Sequence, residues 1–261
     1  MEAGRAIGVI GARGGLGASS LAAALAFRLA GRPPGHGARG RDGGSRPGGA
    51  GRVGRGGSGA PRAVALVDLD TGAGIDVLLG VEGVHGLRWP DLTGARGEVP
   101  GAELTALLPR WAGVAVLSAD RARPGAPRAD VVADVLDALV ACHDHVVLDL
   151  DRRTALVERG PLDRCAAVLV LAGRDVRSVA GVLALRDGLL GAVEDVRLVV
   201  RGPAPGGLGV LELAHVVDLP VAASMAAQRG FDAALERGGG PVPRRRGPLA
   251  RAVDRLAVGL A

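Results

Sequence analysis

The sequence predicts an open, doubly wound α/β fold with a mostly parallel sheet and helices on both faces. Segments of strand length alternate with segments of helical length along most of the chain. The strand segments are apolar throughout, which is typical of a parallel sheet covered on both faces. Hydrophobic residues make up 48% of the chain but aromatic residues only 2%. We therefore expect a core of Leu, Val and Ala between helices and sheet.

The elements follow one another in a regular order. The predicted strands are residues 6–10, 63–69, 113–118, 145–150, 166–171, 196–200 and 221–224. The predicted helices are residues 20–30, 129–141, 178–190, 208–217, 231–237 and 248–260. The 261 residues fit a single domain, 1–261. In such a sheet the ligand site lies outside the carboxyl ends of the strands.

One segment, residues 31–62, departs from this pattern. It is rich in Gly, Pro and Arg and carries seven arginines against one acid, Asp42, a net +6 within a chain of net charge +5. A segment with so few apolar residues is expected to be a disordered insertion. Because the rest of the chain is near −1, a nucleic-acid-binding function is not favoured, and a weak contact of the insertion with nucleic acid or acidic lipid stays an alternative.

The composition also indicates the cellular location of the chain and the state of its cysteines. The apolar runs are too short to span a bilayer and the N-terminus lacks a signal pattern, so the chain is expected to be cytoplasmic. Cys142 and Cys165 have no paired spacing, so we expect two buried small side chains and no zinc site or disulfide framework. Cys142, His143, Asp144 and His145 would alternate between strand faces, which argues against a shared metal.

A Gly-rich turn, residues 11–20, separates the first strand from the first helix. Glycines at 14, 15 and 17 let backbone N–H groups converge, and the helix N-terminus adds partial positive charge. Such a loop can hold a phosphate. A purely structural turn is one alternative. A dinucleotide site is another, but it requires G-x-G-x-x-G, which does not occur here.

Carboxylates follow two of the predicted strands. Val67 to Asp70 ends the second strand and Val146 to Asp149 ends the fourth. Because the carboxyl ends of parallel strands meet at the ligand edge, these side chains can hold Mg²⁺ or a water molecule near the loop.

Together, these segments resemble the MinD/ParA family of P-loop ATPases. The loop is similar to the deviant Walker A motif K-G-G-x-G-K-[ST]-[ST], with Arg13 at the first lysine and Ala18 at the second. Residues 67–70 resemble the Walker A′ segment, and residues 146–149 resemble Walker B. Residues 86–92 resemble an atypical branch that includes actinobacterial septum site-determining proteins and the CpaE/TadZ pilus-assembly proteins.

The resemblance implies roles for individual residues. Ser19 and Asp149 would hold Mg²⁺, and Asp70 would orient the attacking water. Arg13 takes the place of a lysine that reaches across a dimer to the partner's nucleotide. The implied nucleotide-binding residues are Arg13, Gly14, Gly15, Leu16, Gly17, Ala18, Ser19 and Ser20.

Ala18 is the informative departure from the family pattern. Phosphoryl transfer depends on positioned charge, and alanine supplies none. Loss of a charge-assisted contact of roughly 1.5–3 kcal/mol would weaken binding about ten- to a hundredfold. We therefore expect ATP and Mg²⁺ to be bound weakly or not at all, with little or no hydrolysis.

The resulting hypothesis is a regulatory or scaffolding protein with a degenerate nucleotide site. It would act through protein partners in septum-site determination or in pilus or secretion assembly. The alternatives are a slow ATP-hydrolysing switch that forms a homodimer and a ParA-like partition protein that binds nucleic acid.

Two C-terminal features remain open. The last helix carries an apolar stripe of Leu249, Val253, Leu256 and Leu260. Packing on the sheet is favoured over a membrane-binding tail, so membrane association would be peripheral at most. The basic run 244–246 is read as a solvated charge run, with a contact to the nucleotide base as the alternative.

Overall fold

The structure is a computed structural model. It describes residues 5–31, 62–70, 72, 74–94, 100–228, 230–236, 240–243 and 246–260. The predicted insertion at 31–62 lies outside the described residues except for its two ends. Arg244 and Arg245 of the basic run also lie outside them.

The described residues form eight strands, nine helices and a 3-10 turn at Leu162–Arg164. The strands are β1 (Arg5–Gly11), β2 (Val64–Asp68), β3 (Arg110–Trp111), β4 (Val114–Leu117), β5 (His145–Asp149), β6 (Cys165–Gly173), β7 (Val196–Arg201) and β8 (Val221–Met225). The helices are α1 (Ala18–Leu29), α2 (Ile75–Leu79), α3 (Trp89–Leu92), α4 (Gly101–Leu107), α5 (Ala129–Cys142), α6 (Val176–Leu190), α7 (Val210–Val217), α8 (Phe231–Leu235) and α9 (Pro248–Gly259).

All the described strands belong to one sheet with the order β3-β4-β2-β5-β1-β6-β7-β8. Every neighbouring pair is parallel except β3 and β4, which are antiparallel. The doubly wound, mostly parallel fold predicted from the sequence is therefore confirmed. β1 lies at the centre between β5 and β6, so the loop that leaves it emerges at the reversal of strand order, where ligands of such sheets bind.

The core is aliphatic, as the composition predicts. The central strands are buried along their length, and α1 buries a nearly continuous run of small and apolar residues from Ser20 to Phe27. The alanines of this run let the helix pack closely against the sheet, and this packing fixes the position of the N-terminus of α1 at the end of the loop.

α9 uses its apolar stripe for packing. It contacts α1 and β8, and Leu249, Val253 and Leu256 are buried. The structure therefore shows the last helix packed against the rest of the domain, as the sequence favoured, rather than extended as a membrane-binding tail. None of the described helices combines the length and the apolarity needed to cross a bilayer.

A glycine in α6 allows this helix to approach the start of the loop. A Cβ added to Gly181 would lie 1.9 Å from the carbonyl oxygen of Ala12, much closer than any real contact. α6 can therefore lie directly against the backbone between β1 and α1 only because residue 181 has no side chain.

The prediction that both cysteines are buried is wrong for Cys142, which is exposed. Cys142 is the last residue of α5, and its sulfur lies at the end of the helix within 3.5 Å of the Thr105 hydroxyl oxygen. Cys165 is partly buried, and burial raises the pKa of its thiol to about 12. Neither cysteine contributes to the site described next.

Candidate functional site

The loop between β1 and α1 has the backbone of an anion site. Gly15 and Gly17 adopt positive φ angles of 74° and 88°, a left-handed conformation that glycine adopts without strain. Gly17 is the N-cap of α1, and no side chain of the described residues caps this helix. Its first-turn N–H groups are thus available to a ligand at the positive end of the helix dipole.

The loop borders an open pocket of about 530 Å³. We call the two sides of this pocket the loop wall and the strand-end wall. The loop wall consists of Gly11, Arg13, Gly14, Gly15, Leu16, Gly17, Ala18, Ser19 and Ser20. The strand-end wall consists of Asp70, Gly74, Ile75, Leu78, Asp149, Leu150, Asp151, Arg152 and Arg153. Every residue that the sequence assigned to the site thus lines this one pocket.

Asp149 joins the two walls. It is 2% exposed and accepts a hydrogen bond from the Ser19 side chain, whereas its Oδ2 atom has no hydrogen-bond partner among the described residues. Burial and, secondarily, the nearby Asp70 raise its pKa to about 7, although the Ser19 bond opposes this. A buried carboxylate oxygen without a partner is costly unless a cation or a proton reaches it.

Asp68 lies beside Asp149 in the sheet and was not assigned a role from the sequence. The two residues are register partners across β2 and β5. Asp68 accepts a hydrogen bond from the backbone N–H of Ile75 at 3.2 Å, but its Oδ1 atom has no partner within the described chain. Burial, followed by the charge of Asp149, raises the pKa of Asp68 well above its usual range. The available signal was that Asp68 is the first carboxylate of the run 67–70 and belongs to the buried strand itself.

Asp70 follows β2 and is partly buried at the pocket. Burial raises its pKa, and the neighbouring Asp151 adds to this effect. A partly buried carboxylate at this edge can accept a hydrogen bond from a water molecule in the pocket.

Arg13 does not extend into free space. Its Nη2 atom donates to Oδ2 of Asp175 at 3.1 Å within the same chain. Asp175 is the N-cap of α6 and also accepts from the Ser178 N–H at 2.9 Å. Arg13 lowers the pKa of Asp175, as expected for an ion pair. This pair could not be predicted from the sequence, because its two residues are 162 positions apart.

Ala18 starts α1 and is partly buried against the core. Its methyl group faces the start of the loop, where a Cβ added to Gly11 would lie 3.6 Å away. Position 18 therefore supplies no charge to the loop wall, and the ion-paired Arg13 is the only cationic side chain among the described residues of that wall.

Arg201 supports the loop from the other side. It ends β7, and its Nη1 atom donates to the backbone oxygen of Leu16 at 2.5 Å. This arginine fixes the peptide before Gly17 and was not singled out from the sequence, where only its position at a strand end could have indicated it.

Two curated relatives match most of the chain. Both are uncharacterized proteins of Mycobacterium tuberculosis, one from strain CDC 1551 and one from strain H37Rv, and each is 37% identical over 254 residues. The match covers 97% of this chain but only 63% of each relative, so the chain spans less than two thirds of their length. No sequence model of a known protein family matches the chain.

Solved structures with the same architecture are numerous. A ParA family ATPase from Chlorobium tepidum superposes with a TM-score of 0.75 at 16% identity, covering 100% of both chains. The septum site-determining protein MinD of Pyrococcus horikoshii, complexed with Mg-ADP, gives 0.71 at 16% identity, covering 98% of this chain and 95% of that one. MinD in the MinC:MinD complex of Aquifex aeolicus gives 0.68 at 14% identity, with coverage of 98% and 95%. By its strand order and by these superpositions, the chain has the fold of the MinD/ParA P-loop ATPases.

Proposed function

We propose that the chain is a regulatory or scaffolding MinD/ParA-like protein that binds Mg-ATP weakly and hydrolyses it slowly or not at all. It acts through protein partners in septum-site determination or in the assembly of pili or secretion systems. The observation that carries the proposal is Ala18, a neutral side chain at the start of α1 in a pocket that otherwise keeps a phosphate-binding backbone.

The residues present fit Mg²⁺. The Ser19 hydroxyl and the unpartnered Oδ2 of Asp149 are oxygen donors of the kind that Mg²⁺ prefers, and the buried carboxylate gains a counter-charge. Bound Mg²⁺ would neutralise charge that develops on the phosphates. Asp68, the register partner of Asp149, is a second buried carboxyl with an oxygen that has no partner among the described residues.

The loop wall binds phosphate mainly through its backbone. The N–H groups around Gly15, Gly17 and Ser19 can surround phosphate oxygens, and Arg201 holds the peptide of Leu16 in place for them. Asp70 can hold a water molecule at the same pocket. Without a lysine to stabilise the transferring group, this water is expected to attack slowly.

Similarity of fold to proteins that bind protein partners supports the proposal that this chain acts through partners. One structural neighbour is a MinD protein in complex with MinC. A chain that hydrolyses its nucleotide slowly can still bind such a partner, and the bound nucleotide then acts as a stabilising ligand. The ion pair of Arg13 with Asp175 offers no support for a dimer in which Arg13 reaches a partner's phosphate.

The experiment that tests this proposal measures phosphate release by the purified chain with Mg-ATP. We expect turnover at the background level for the unmodified protein and for Asp70→Ala. Turnover well above background that disappears in Asp70→Ala would contradict the regulatory proposal and favour the slow ATPase switch.

A further inference from the structure

Two adjacent arginines follow the acidic end of β5 and line the same pocket as the loop wall. Arg152 and Arg153 both line the pocket, and both are exposed. Arg152 has no hydrogen bond or ion pair within the described part of the chain. Arg153 has only a long contact of 3.6 Å to Asp151, with its side chain 75% exposed. Both guanidinium groups are therefore available to an anion in the pocket.

A turn built by Asp151 holds these arginines at the pocket. One carboxylate oxygen of Asp151 accepts from the Arg153 N–H at 3.0 Å and the other accepts from the Thr154 hydroxyl at 3.3 Å. The Asp151 carbonyl accepts from the Ala155 N–H at 2.9 Å, and Ala155 is buried. The backbone of the two arginines is thus held by the Asp151 turn, while both side chains are exposed at the pocket.

The charge of Arg153 acts inside the pocket. It lowers the pKa of Asp70, although burial and Asp151 have the larger, opposite effect. Asp149, at the same wall, has a buried oxygen without a hydrogen-bond partner among the described residues, which independently indicates that this pocket accommodates a cation. A positive side chain beside these carboxylates offsets part of the electrostatic repulsion between the carboxylates and a bound polyphosphate.

We propose that Arg152 and Arg153 contact the terminal phosphates of a nucleoside triphosphate held by the loop wall, and so replace the charge that Ala18 lacks. The inference rests on the proposed function, because it requires that the pocket binds nucleotide. A guanidinium can donate two parallel hydrogen bonds to a phosphate, so either arginine suits this contact. The pocket, at about 530 Å³, lies in the range of nucleotide-sized sites.

The position of the arginines determines which ligands depend on them. They line the same pocket as the loop backbone but belong to the segment after β5, so we expect them to contact the phosphates that extend beyond the loop. A triphosphate should therefore depend on them strongly and a monophosphate weakly. A lysine at position 18, by contrast, would act from within the loop itself.

The test is a fluorescence-anisotropy measurement of a fluorescent ATP analogue on the full chain with Mg²⁺, with ATP and AMP as competitors. The variants are Arg152→Ala, Arg153→Ala and the two combined, with Arg159→Ala as the matched control, because Arg159 is exposed but does not line the pocket. We expect the combined variant to bind ATP about tenfold or more weakly, as for a lost charged hydrogen bond. AMP affinity should change less than about threefold, and Arg159→Ala should match the unmodified protein.

Two further results make the outcome decisive. Adding Ala18→Lys to the combined variant should restore ATP affinity, and melting temperatures should stay within a few degrees, because both arginines are exposed. Unchanged ATP affinity in the combined variant, or an unmodified protein that binds no ATP at millimolar concentration, would overturn the inference. Absence of ATP binding by the unmodified protein would also contradict the weak Mg-ATP binding in the proposed function. Unchanged ATP affinity in the combined variant alone would leave that function standing, and phosphate release tests its hydrolysis separately.

Discussion

The two walls of the pocket differ in where their charge lies. The loop wall keeps the backbone geometry of a phosphate site, with left-handed Gly15 and Gly17, but its one cation is bound to Asp175. The strand-end wall combines the buried Asp149 and the partly buried Asp70 with two exposed arginines, Arg152 and Arg153. The backbone shape of the loop therefore does not depend on a catalytic charge within it. Glycine conformations and packing keep this shape, although position 18 has no charged side chain.

The largest effect is expected at the strand-end wall, for Asp149→Asn. The pKa of Asp149 is about 7 in the folded protein, so the free energy of unfolding is highest at pH values where this carboxyl is protonated. This contribution is fully present below the unfolded pKa of about 4 and is lost as pH rises through about 7, at a cost on the order of 4 kcal/mol. The asparagine keeps an acceptor for Ser19 and avoids that cost, so without Mg²⁺ it should unfold at a higher temperature at pH 8.

Thermal unfolding from pH 4 to 8 checks this prediction. The advantage of Asp149→Asn should shrink toward pH 4, and Mg²⁺ should reduce it at pH 8 by stabilising only the unmodified protein. Asp187→Asn is the control, since its carboxylate is 87% exposed. Equal melting temperatures of Asp149→Asn and the unmodified protein at every pH would contradict this prediction. They would show that ionising the Asp149 carboxyl does not lower the free energy of unfolding.

A smaller effect is expected at the loop wall, for Ala18→Lys. A lysine here adds the charge that this wall lacks and should tighten Mg-ATP binding about ten- to a hundredfold, corresponding to roughly 1.5–3 kcal/mol. Isothermal titration calorimetry measures this, with Ala18→Gln as a control of similar length without charge. An equal gain for the glutamine variant would indicate that position 18 limits binding by size and not by charge.

The smallest effect is expected behind the loop wall, at Asp175. Asp175→Ala removes both the ion pair with Arg13 and the cap of α6, and should cost about 1 kcal/mol of unfolding free energy. Asp175→Asn keeps the cap and should cost only a few tenths, because the pair is partly exposed. Urea unfolding of both variants tests this order. If Asp175→Asn tightened ATP binding as strongly as Ala18→Lys, the loop wall would already hold sufficient charge in Arg13.

Much of the fold could be predicted from the sequence because its signals are local. β1, β5 and α1 follow directly from apolar runs and from the glycines between them. β3 could not be predicted, since its two residues, Arg110–Trp111, are too few to form a pattern. The short helices α2 to α4 were missed for the same reason, and Cys142 was misjudged because its exposure depends on where α5 ends.

The candidate site divides in the same way. The loop and the strand-terminal aspartates belong to motifs whose spacing is fixed by the chain, so all of them could be placed at one pocket in advance. The contacts of Arg13 with Asp175 and of Arg201 with Leu16 join residues 162 and 185 positions apart. Arg152 and Arg153 belong to no motif, and only the direction of the turn after β5 brings them to the pocket.

The measurement that tests the central claim most directly is a crystal structure of the chain with Mg²⁺ and a non-hydrolysable ATP analogue. We expect phosphates surrounded by the loop backbone and Mg²⁺ near Ser19 and Asp149. A guanidinium of Arg152 or Arg153 should lie within about 3 Å of a terminal phosphate oxygen. A triphosphate bound in the loop with both arginines directed into solvent would contradict the claim that the strand-end wall supplies the missing charge.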